Sequence, residues 1–177
     1  MPTKVVIWPN SKKHVYKLWR SGVDFPARPY TFDPYLVGAY LGDGSKHNPV
    51  ITLGSKKKPI LEYFENSTQY PVLRKEFEKG AYYLYGRHTE GLFSYLKPIL
   101  GNRHIPEIYK VNDYQTRMQV LAGLLDTDGH LQQSGFDIVQ KSKQLAEDIC
   151  FISRSVGLAA YMSEKWLSGV LYQEILI

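Results

Sequence analysis

The sequence has little cysteine, no long apolar run and no large excess of charge of one sign. A single cysteine, Cys150, among 177 residues excludes an internal disulfide and a cysteine-based zinc cluster. No apolar run approaches the ~20 residues that cross a bilayer, and the N-terminal stretch lacks the features of a signal peptide. We therefore expect an intracellular protein without a membrane partner.

The rest of the composition is that of a folded globular domain. Hydrophobic residues make up 44% of the chain and charged residues 22%, which excludes disorder as the general state. Lys and Arg number 22 against 17 Asp and Glu, and the resulting net charge of +5 is compatible with a polyanionic partner. The 14 tyrosines are typical of large contact surfaces, because each side chain combines an apolar ring with a polar hydroxyl group.

An internal repeat is the strongest organisational signal. Residues 36–44 read LVGAYLGDG and residues 121–129 read LAGLLDTDG, each with glycine in third place and Asp-Gly at the end. The terminal aspartates, Asp43 and Asp128, lie 85 positions apart. Matching segments follow each motif in the same order: strands over 50–55 and 136–142, helices over 59–69 and 143–157, and β pairs over 70–86 and 158–177.

The repeat predicts an α+β fold of two pseudo-symmetric halves, each with the element order α-β-β-α-β-β-α. A short helix over 91–100 closes the first half, and the second half stops at Ile177 before an equivalent helix. We divide the chain into a basic N-terminal extension or linker (1–30), a first repeat with its connector (31–112) and a truncated second repeat (113–177).

Each nine-residue motif is predicted to form a helix that is buried nearly all round. Asp33 suits the N-cap and Pro34 the first helical position of the first motif. Gly38 and Gly123 are expected at the helix interface, where small residues let two backbones approach closely. The glycine after each motif aspartate is expected to end the helix with a positive φ.

This packing would bring Asp43 and Asp128 to the same end of two paired helices. Two carboxylates about 4 Å apart repel by roughly 4 kcal/mol at an effective dielectric constant of 20, and helix C-termini disfavour negative charge further. Either the acids are protonated or a cation lies between them. Oxygen ligands with open positions favour Mg²⁺, which can promote phosphodiester hydrolysis.

Two other metal-site patterns do not fit. The segment DTDGH is not an EF-hand loop, because Gly129 is fourth rather than sixth from Asp126. The pair His47-Asn48 lacks the second histidine and the ligand framework of an HNH nuclease.

LAGLLDTDG resembles the LAGLIDADG motif of homing endonucleases with two substitutions, and LVGAYLGDG is a looser version. Residues 31–177 are similar to the single-chain, two-repeat form of that family, most of all to endonuclease domains carried inside inteins. The resemblance implies motif helices at the interface of two halves and saddle-shaped antiparallel sheets in the DNA major groove. It also implies metal-dependent cleavage of both strands of a long double-stranded target by a monomer that acts as a pseudo-dimer, unless the truncation forces association.

The resemblance also implies site residues. Asp43 and Asp128 match the metal-binding acids, with Mg²⁺ or Mn²⁺ as the metal, whereas Asp126 matches a position that does not bind metal. Gln140 and Lys141 resemble a pair near the scissile phosphate, and Arg87 is the best match to a basic residue at the second β pair. DNA contacts are expected from Lys46, Lys56, Lys57, Lys58, Arg87, His130, Lys141 and Lys143.

The chain ends bear on splicing, and the two halves bear on an alternative function. The ends, Met1-Pro2 and Leu176-Ile177, lack the nucleophile and the His-Asn pair of an intein, so we expect no splicing. The alternative function is a DNA- or RNA-binding protein, regulator or maturase-like, with weak or no cleavage. The truncated second half favours it and the retention of both acids opposes it. A protein without a nucleic-acid role leaves the positive charge and the Gln140–Lys141 pair unexplained.

Overall fold

A computed structural model of the chain describes residues 20–47, 50–67, 72–77, 81–86, 96, 100–132 and 135–177. It is a mixture of helices and antiparallel sheets, as the α+β prediction requires. A one-turn 3₁₀ helix, Ser55–Lys57, precedes α2. The elements in chain order are α1 (Pro34–Asp43), β1 (Val50–Leu53), α2 (Lys58–Ser67), β2 (Val72–Phe77), β3 (Ala81–Gly86), α3 (Glu107–Lys110), α4 (Tyr114–Asp128), β4 (His130–Gln132), β5 (Gly135–Gln140), α5 (Lys143–Ser155), β6 (Tyr161–Leu167) and β7 (Val170–Leu176).

The two motif helices begin with the same kind of cap. The Asp33 carboxylate accepts the backbone N–H of Leu36 at 3.1 Å, and Pro34 is the first residue of α1, as predicted. Asp113 caps α4 in the same way by accepting the N–H of Thr116 at 2.8 Å. Both helices are extensively buried, and each ends at its motif aspartate.

Glycine allows α1 and α4 to pack with their backbones in contact. A Cβ atom added at Gly38 would lie 2.1 Å from the carbonyl oxygen of Val120, and one added at Gly123 would lie 2.2 Å from that of Tyr35. No side chain fits at either position unless the backbones separate. The two predicted interface glycines therefore fix the helix spacing, and α1 and α4 form the centre of the molecule.

Each half adds an antiparallel sheet to this helix pair. The first sheet has the order β1-β3-β2, and the second has the order β4-β5-β7-β6. The second half thus has the predicted α-β-β-α-β-β order. In the first half, the strand expected after α1 is reduced to a single bridge between Gly44 and Ile51, so the described part of that sheet has three strands.

Helix α5 and the β6–β7 hairpin complete the second half. Leu145, Ile149 and Ile152 are fully buried at helical spacing, and Cys150 lies with them in the core as predicted. Gly157 has a φ of 90° after the end of α5, which is the expected glycine cap. Ser168 and Gly169 both have positive φ in the two-residue turn, as a type I′ hairpin requires.

The N-terminal segment 20–30 has no regular structure and packs on the second half. Its Val23 N–H donates to the Ser155 carbonyl at 2.8 Å, and the Arg117 guanidinium donates to the Val23 carbonyl at 2.5 Å. The Phe25 ring stacks on Phe151 at 6.4 Å. The segment 20–30 therefore packs on the second repeat, although the first repeat follows it directly in sequence.

Other predicted features lie partly outside the described residues. Of the helix predicted over 91–100, Leu96 and Leu100 are described; both are helical and buried. Residues 1–19 and Arg87 lie outside the described ranges. None of the helices in those ranges is long and apolar enough to cross a bilayer.

Candidate active site

The C-terminal ends of α1 and α4 meet at the motif aspartates. A Cβ atom added at Gly42 would lie 2.1 Å from the Thr127 hydroxyl oxygen and 3.3 Å from the Asp128 Cβ. The helix ends directly after each aspartate. The N–H groups of Gly44 and Gly129 donate the last helical hydrogen bonds, to the carbonyl oxygens of Tyr40 and Leu125 at 2.8 and 3.0 Å. Asp43 and Asp128 are therefore carried to one end of the helix pair.

The prediction of positive φ for the two terminal glycines is wrong. Gly44 has φ −71° and Gly129 has φ −77°, which are extended conformations open to any residue. Their requirement for glycine is steric, since a Cβ would lie 2.3 Å from the Tyr40 carbonyl oxygen at Gly44 and 2.5 Å from the Leu125 carbonyl oxygen at Gly129. The missing side chain lets the chain leave each helix abruptly beside the acid.

Asp43 is paired with a lysine from its own half. Lys57, in the 3₁₀ turn before α2, places its Nζ 2.5 Å from Asp43 Oδ2 and also donates to the carbonyl oxygen of Thr127. Its ammonium group thus joins the end of α1 to the end of α4. Sequence analysis predicted Lys57 as a DNA contact, and the structure places it within the acidic site.

Asp128 is paired with an amide instead. Gln140, at the end of β5, donates from Nε2 to Asp128 Oδ2. Burial raises the pKa of Asp128 and the nearby Asp43 carboxylate raises it further, whereas the Gln140 hydrogen bond and the charges of Lys57 and Arg103 lower it. The net shift is upward, because burial and the Asp43 charge together outweigh the Gln140 hydrogen bond and the two cations.

Arg103 is a site residue that the sequence interpretation missed. Its guanidinium donates to the carbonyl oxygens of Leu41 and Gly44, which closes the C-terminal end of α1. Burial lowers the pKa of Arg103, while the charges of Asp128 and Asp43 oppose that shift. Arg103 is about 60 positions from α1 and has a φ of 50°, so no local pattern links it to the acids.

The oxygen atoms of this site fit a divalent cation. The Lys57 ammonium contacts both the Asp43 carboxylate and the Thr127 carbonyl oxygen, and the Asp128 carboxylate lies close enough to interact electrostatically with Asp43 and Lys57. Within the described ranges, no group of three or more His, Cys, Asp and Glu side chains could hold a metal ion. Two acids leave ligand positions for water and phosphate oxygens, which Mg²⁺ commonly retains.

Asp126 has a separate structural role. Its Oδ2 accepts the Tyr35 hydroxyl proton at 2.8 Å, which links α4 to α1 on the flank of the helix pair. Burial, together with this hydrogen bond and the Asp126 charge, raises the pKa of Tyr35, so the phenol stays protonated as the donor. This contact gives Asp126 a partner outside the pair of terminal acids.

The other predicted residues lie around the site or outside the described ranges. Lys141 directly follows β5 and is exposed. Lys58 and Lys143 form surface ion pairs with Glu62 and Glu147 at 3.6 and 3.8 Å, on α2 and α5. Lys46, Lys56 and His130 are exposed, and Arg87 is not among the described residues. The exposed basic residues do not join the acids and stay predicted DNA contacts.

Part of the chain matches known sequences. Residues 104–169 match the family model described as Homing endonuclease. The chain is 30% identical over 150 residues to a protein named replicative DNA helicase DnaB from Mycobacterium intracellulare. That match covers 83% of this chain and spans only 23% of the length of the curated relative.

The fold matches solved structures of I-DmoI. A crystal structure of I-DmoI in complex with DNA and Mn is 17% identical, covers 82% of this chain and 88% of that chain, and has a TM-score of 0.58. Structures of mesophilic variants from the homing endonuclease I-DmoI match at 17% identity, 82% and 87% coverage, and a TM-score of 0.57. These matches establish the fold. Together with the family match, they confirm the predicted resemblance to LAGLIDADG homing endonucleases.

Proposed function

We propose that this chain is a site-specific DNA endonuclease that hydrolyses both strands of a double-stranded target and depends on a divalent metal. The observation that carries the proposal is the convergence of Asp43 and Asp128 at one end of a glycine-packed helix pair, with an antiparallel sheet in each half. The homing endonuclease match over residues 104–169 and the fold shared with I-DmoI support it.

In this proposal Asp43 and Asp128 hold Mg²⁺ or Mn²⁺ between the two halves. The bound metal would supply Lewis-acid stabilisation of charge at the scissile phosphate and activation of water. Gln140 orients the Asp128 carboxylate through its amide, and Arg103 fixes the end of α1 that carries Asp43. Lys57 can leave Asp43 and contact a phosphate when DNA binds, since its side chain is 30% exposed.

The two sheets supply the DNA-binding surface of the same proposal. Strand side chains would reach base edges in the major groove, and exposed lysines beside the acids would contact phosphates. Lys46, Lys56 and Lys141 are exposed in this way. The chain would act as a monomer, because it contains both halves of the pseudo-dimer, and it would act inside the cell, where DNA is present.

Replacing the acids tests the proposal. Asp43→Asn and Asp128→Asn should each abolish Mg²⁺-dependent linearisation of a plasmid library carrying randomised sites, while DNA binding in a gel-shift assay is retained. Asp126→Asn is the matched control and should still cleave, because its carboxylate contacts Tyr35 rather than the site. Linearisation at the wild-type level by both variants at the terminal acids would refute the proposal.

We further propose that the domain derives from an intein. Support comes from the helicase match, because a domain with a homing endonuclease signature aligns with less than a quarter of a protein named for another activity. Sequencing the gene on both sides of the codons for this chain tests the idea. Splicing residues and interrupted host-protein sequence on both sides would support it, and a free-standing reading frame would contradict it.

The alternative is a nucleic-acid-binding protein of the same fold with weak or no cleavage. One observation favours it: each terminal acid already has a side-chain donor, Lys57 at Asp43 and Gln140 at Asp128. A nicking assay on the same library in Mg²⁺ and in Mn²⁺ separates the two functions. Selective binding without nicks in either metal would select the alternative.

A further inference from the structure

The outer face of the second sheet carries acids, which is unexpected for a surface that meets DNA. Ile138 and Ile175 are fully buried on the face that packs against the helices. Because successive strand residues point to opposite faces, Asp137 and Glu174 lie on the outer face. The outer face also includes Lys165 on β6, since Lys165 pairs with Tyr172 and residues 172 and 174 share a face.

Glu174 and Lys165 form a fixed pair on this outer face. Lys165 Nζ lies 2.5 Å from Glu174 Oε1, and their side chains are 37% and 24% exposed. The hydrogen bond from Lys165 to Glu174 is the largest cause of a raised Lys165 pKa, so the ammonium stays charged. Among the described residues, Glu174 Oε2 accepts no hydrogen bond. The pair therefore presents one free acceptor beside one cationic donor.

This arrangement matches the major-groove edge of one base pair. Cytosine offers its N4 amino group as a donor, and the paired guanine offers O6 and N7 as acceptors beside it. A carboxylate accepts from cytosine N4, and a lysine donates to guanine O6 or N7. A carboxylate is repelled by DNA phosphates, but the positive charge of Lys165 offsets the negative charge of Glu174. The free oxygen of Glu174 is thus suited to a base edge rather than to the DNA backbone.

We propose that Glu174 and Lys165 together read one C·G base pair in the half-site that the second sheet contacts. The inference rests on the proposed function, because it requires this outer face to lie in the DNA groove. Asp137 on the neighbouring strand β5 interacts electrostatically with Lys165, accepts the Gln132 amide at 3.0 Å and is 8% exposed. Because Asp137 is buried and already hydrogen-bonded, it is not a base contact in this inference.

Selection of target sites from a randomised DNA library tests this inference. Wild-type protein should recover sites in which one position in the second half-site is a C·G pair, at about tenfold over other pairs. Glu174→Gln should shift that position to A·T, because glutamine pairs with adenine N6 and N7. Lys165→Met should reduce the C·G preference without a shift to A·T, because the Glu174 contact to cytosine is kept. This variant keeps the inference testable should Glu174→Gln fold poorly.

A matched variant controls for general effects of the substitution. Glu107→Gln removes the acid of another ion pair, with Lys110 on α3, and should leave every base preference unchanged. If Glu174→Gln and Lys165→Met recover the same sites as wild type, the pair is a structural contact and the inference fails while the proposed function stands. If wild-type protein selects no sites at all, both the proposed function and the inference fail.

Discussion

The two halves of this chain share an architecture but differ at the acids that each contributes. Asp43 in the first half is bound by the Lys57 ammonium, and Asp128 in the second half is bound by the Gln140 amide. The first half has a single bridge where the second has β4 paired with β5. The repeated part of the fold is the helix pair and the sheet order, and the divergence is concentrated next to the terminal acids.

This difference shows which features of the repeat the helix pair demands. Gly38 and Gly123 occupy matching positions in the two motifs, and each contacts the backbone of the other helix. A larger residue at either position would therefore separate both helices. The side chains that bind the two acids are not constrained in this way, because an ammonium group and an amide can each donate a hydrogen bond to a carboxylate oxygen. Symmetry is therefore enforced by packing, and the electrostatics of the two half-sites are free to differ.

The largest expected effect tests that packing symmetry. Gly38→Ala and Gly123→Ala should each lower the free energy of unfolding by about 3 kcal/mol, because the new methyl group meets partner backbone at close to 2 Å. Denaturant unfolding measures the loss. Gly54→Ala is the control, since a Cβ there meets nothing within 4 Å. A loss confined to one of the two interface glycines would contradict equal roles in the two halves.

A smaller effect tests the difference between the acid partners. Without metal, Lys57→Met should destabilise the protein by about 1–2 kcal/mol and Gln140→Leu by about 1 kcal/mol, because only the former removes a charged donor. Added Mg²⁺ should raise the melting temperature of Lys57→Met more than that of wild type, since the metal replaces the lost positive charge. Equal Mg²⁺ responses in all three proteins would show that Lys57 does not occupy the cation position.

The smallest expected effect is the pH dependence of Asp128. Its pKa is raised in the folded protein, so its contribution to stability is fully present below the unfolded pKa, about 4, and is lost as the pH rises through the folded pKa. In metal-free protein, Asp128→Asn should therefore raise the melting temperature at pH 7 and have little effect below pH 4. Asp126→Asn, which weakens the hydrogen bond to Tyr35, should show no such gain. A lower melting temperature for Asp128→Asn at pH 7 would contradict this account.

Local patterns were enough to predict the helices, the capping residues and the pairing of the two motifs. Asp33, Pro34 and Gly157 act through neighbours within four positions, and the interface glycines follow from the repeat itself. The extended φ of Gly44 and Gly129 was not predicted, because a close approach to the preceding turn of the helix and a positive φ both select glycine.

The residues that surround the acids were harder to predict. Arg103 reaches the end of α1 from the connector, and Lys57 reaches Thr127 across the helix pair, from sequence separations of 62 and 70 residues. Such contacts depend on how loops pack after the helices have paired, and no periodic pattern encodes them. The charged face around Glu174 was likewise missed, because the strand register decides which side chains share a face.

Direct measurement of metal binding is the sharpest test of the central claim that Asp43 and Asp128 together form one divalent-cation site. Mn²⁺ binding to DNA-bound protein can be followed by electron paramagnetic resonance as free Mn²⁺ is lost from solution. The account predicts that Asp43→Asn and Asp128→Asn each weaken binding at least tenfold and that Asp126→Asn does not. Wild-type Mn²⁺ affinity in a protein that carries both substitutions at the terminal acids would contradict it.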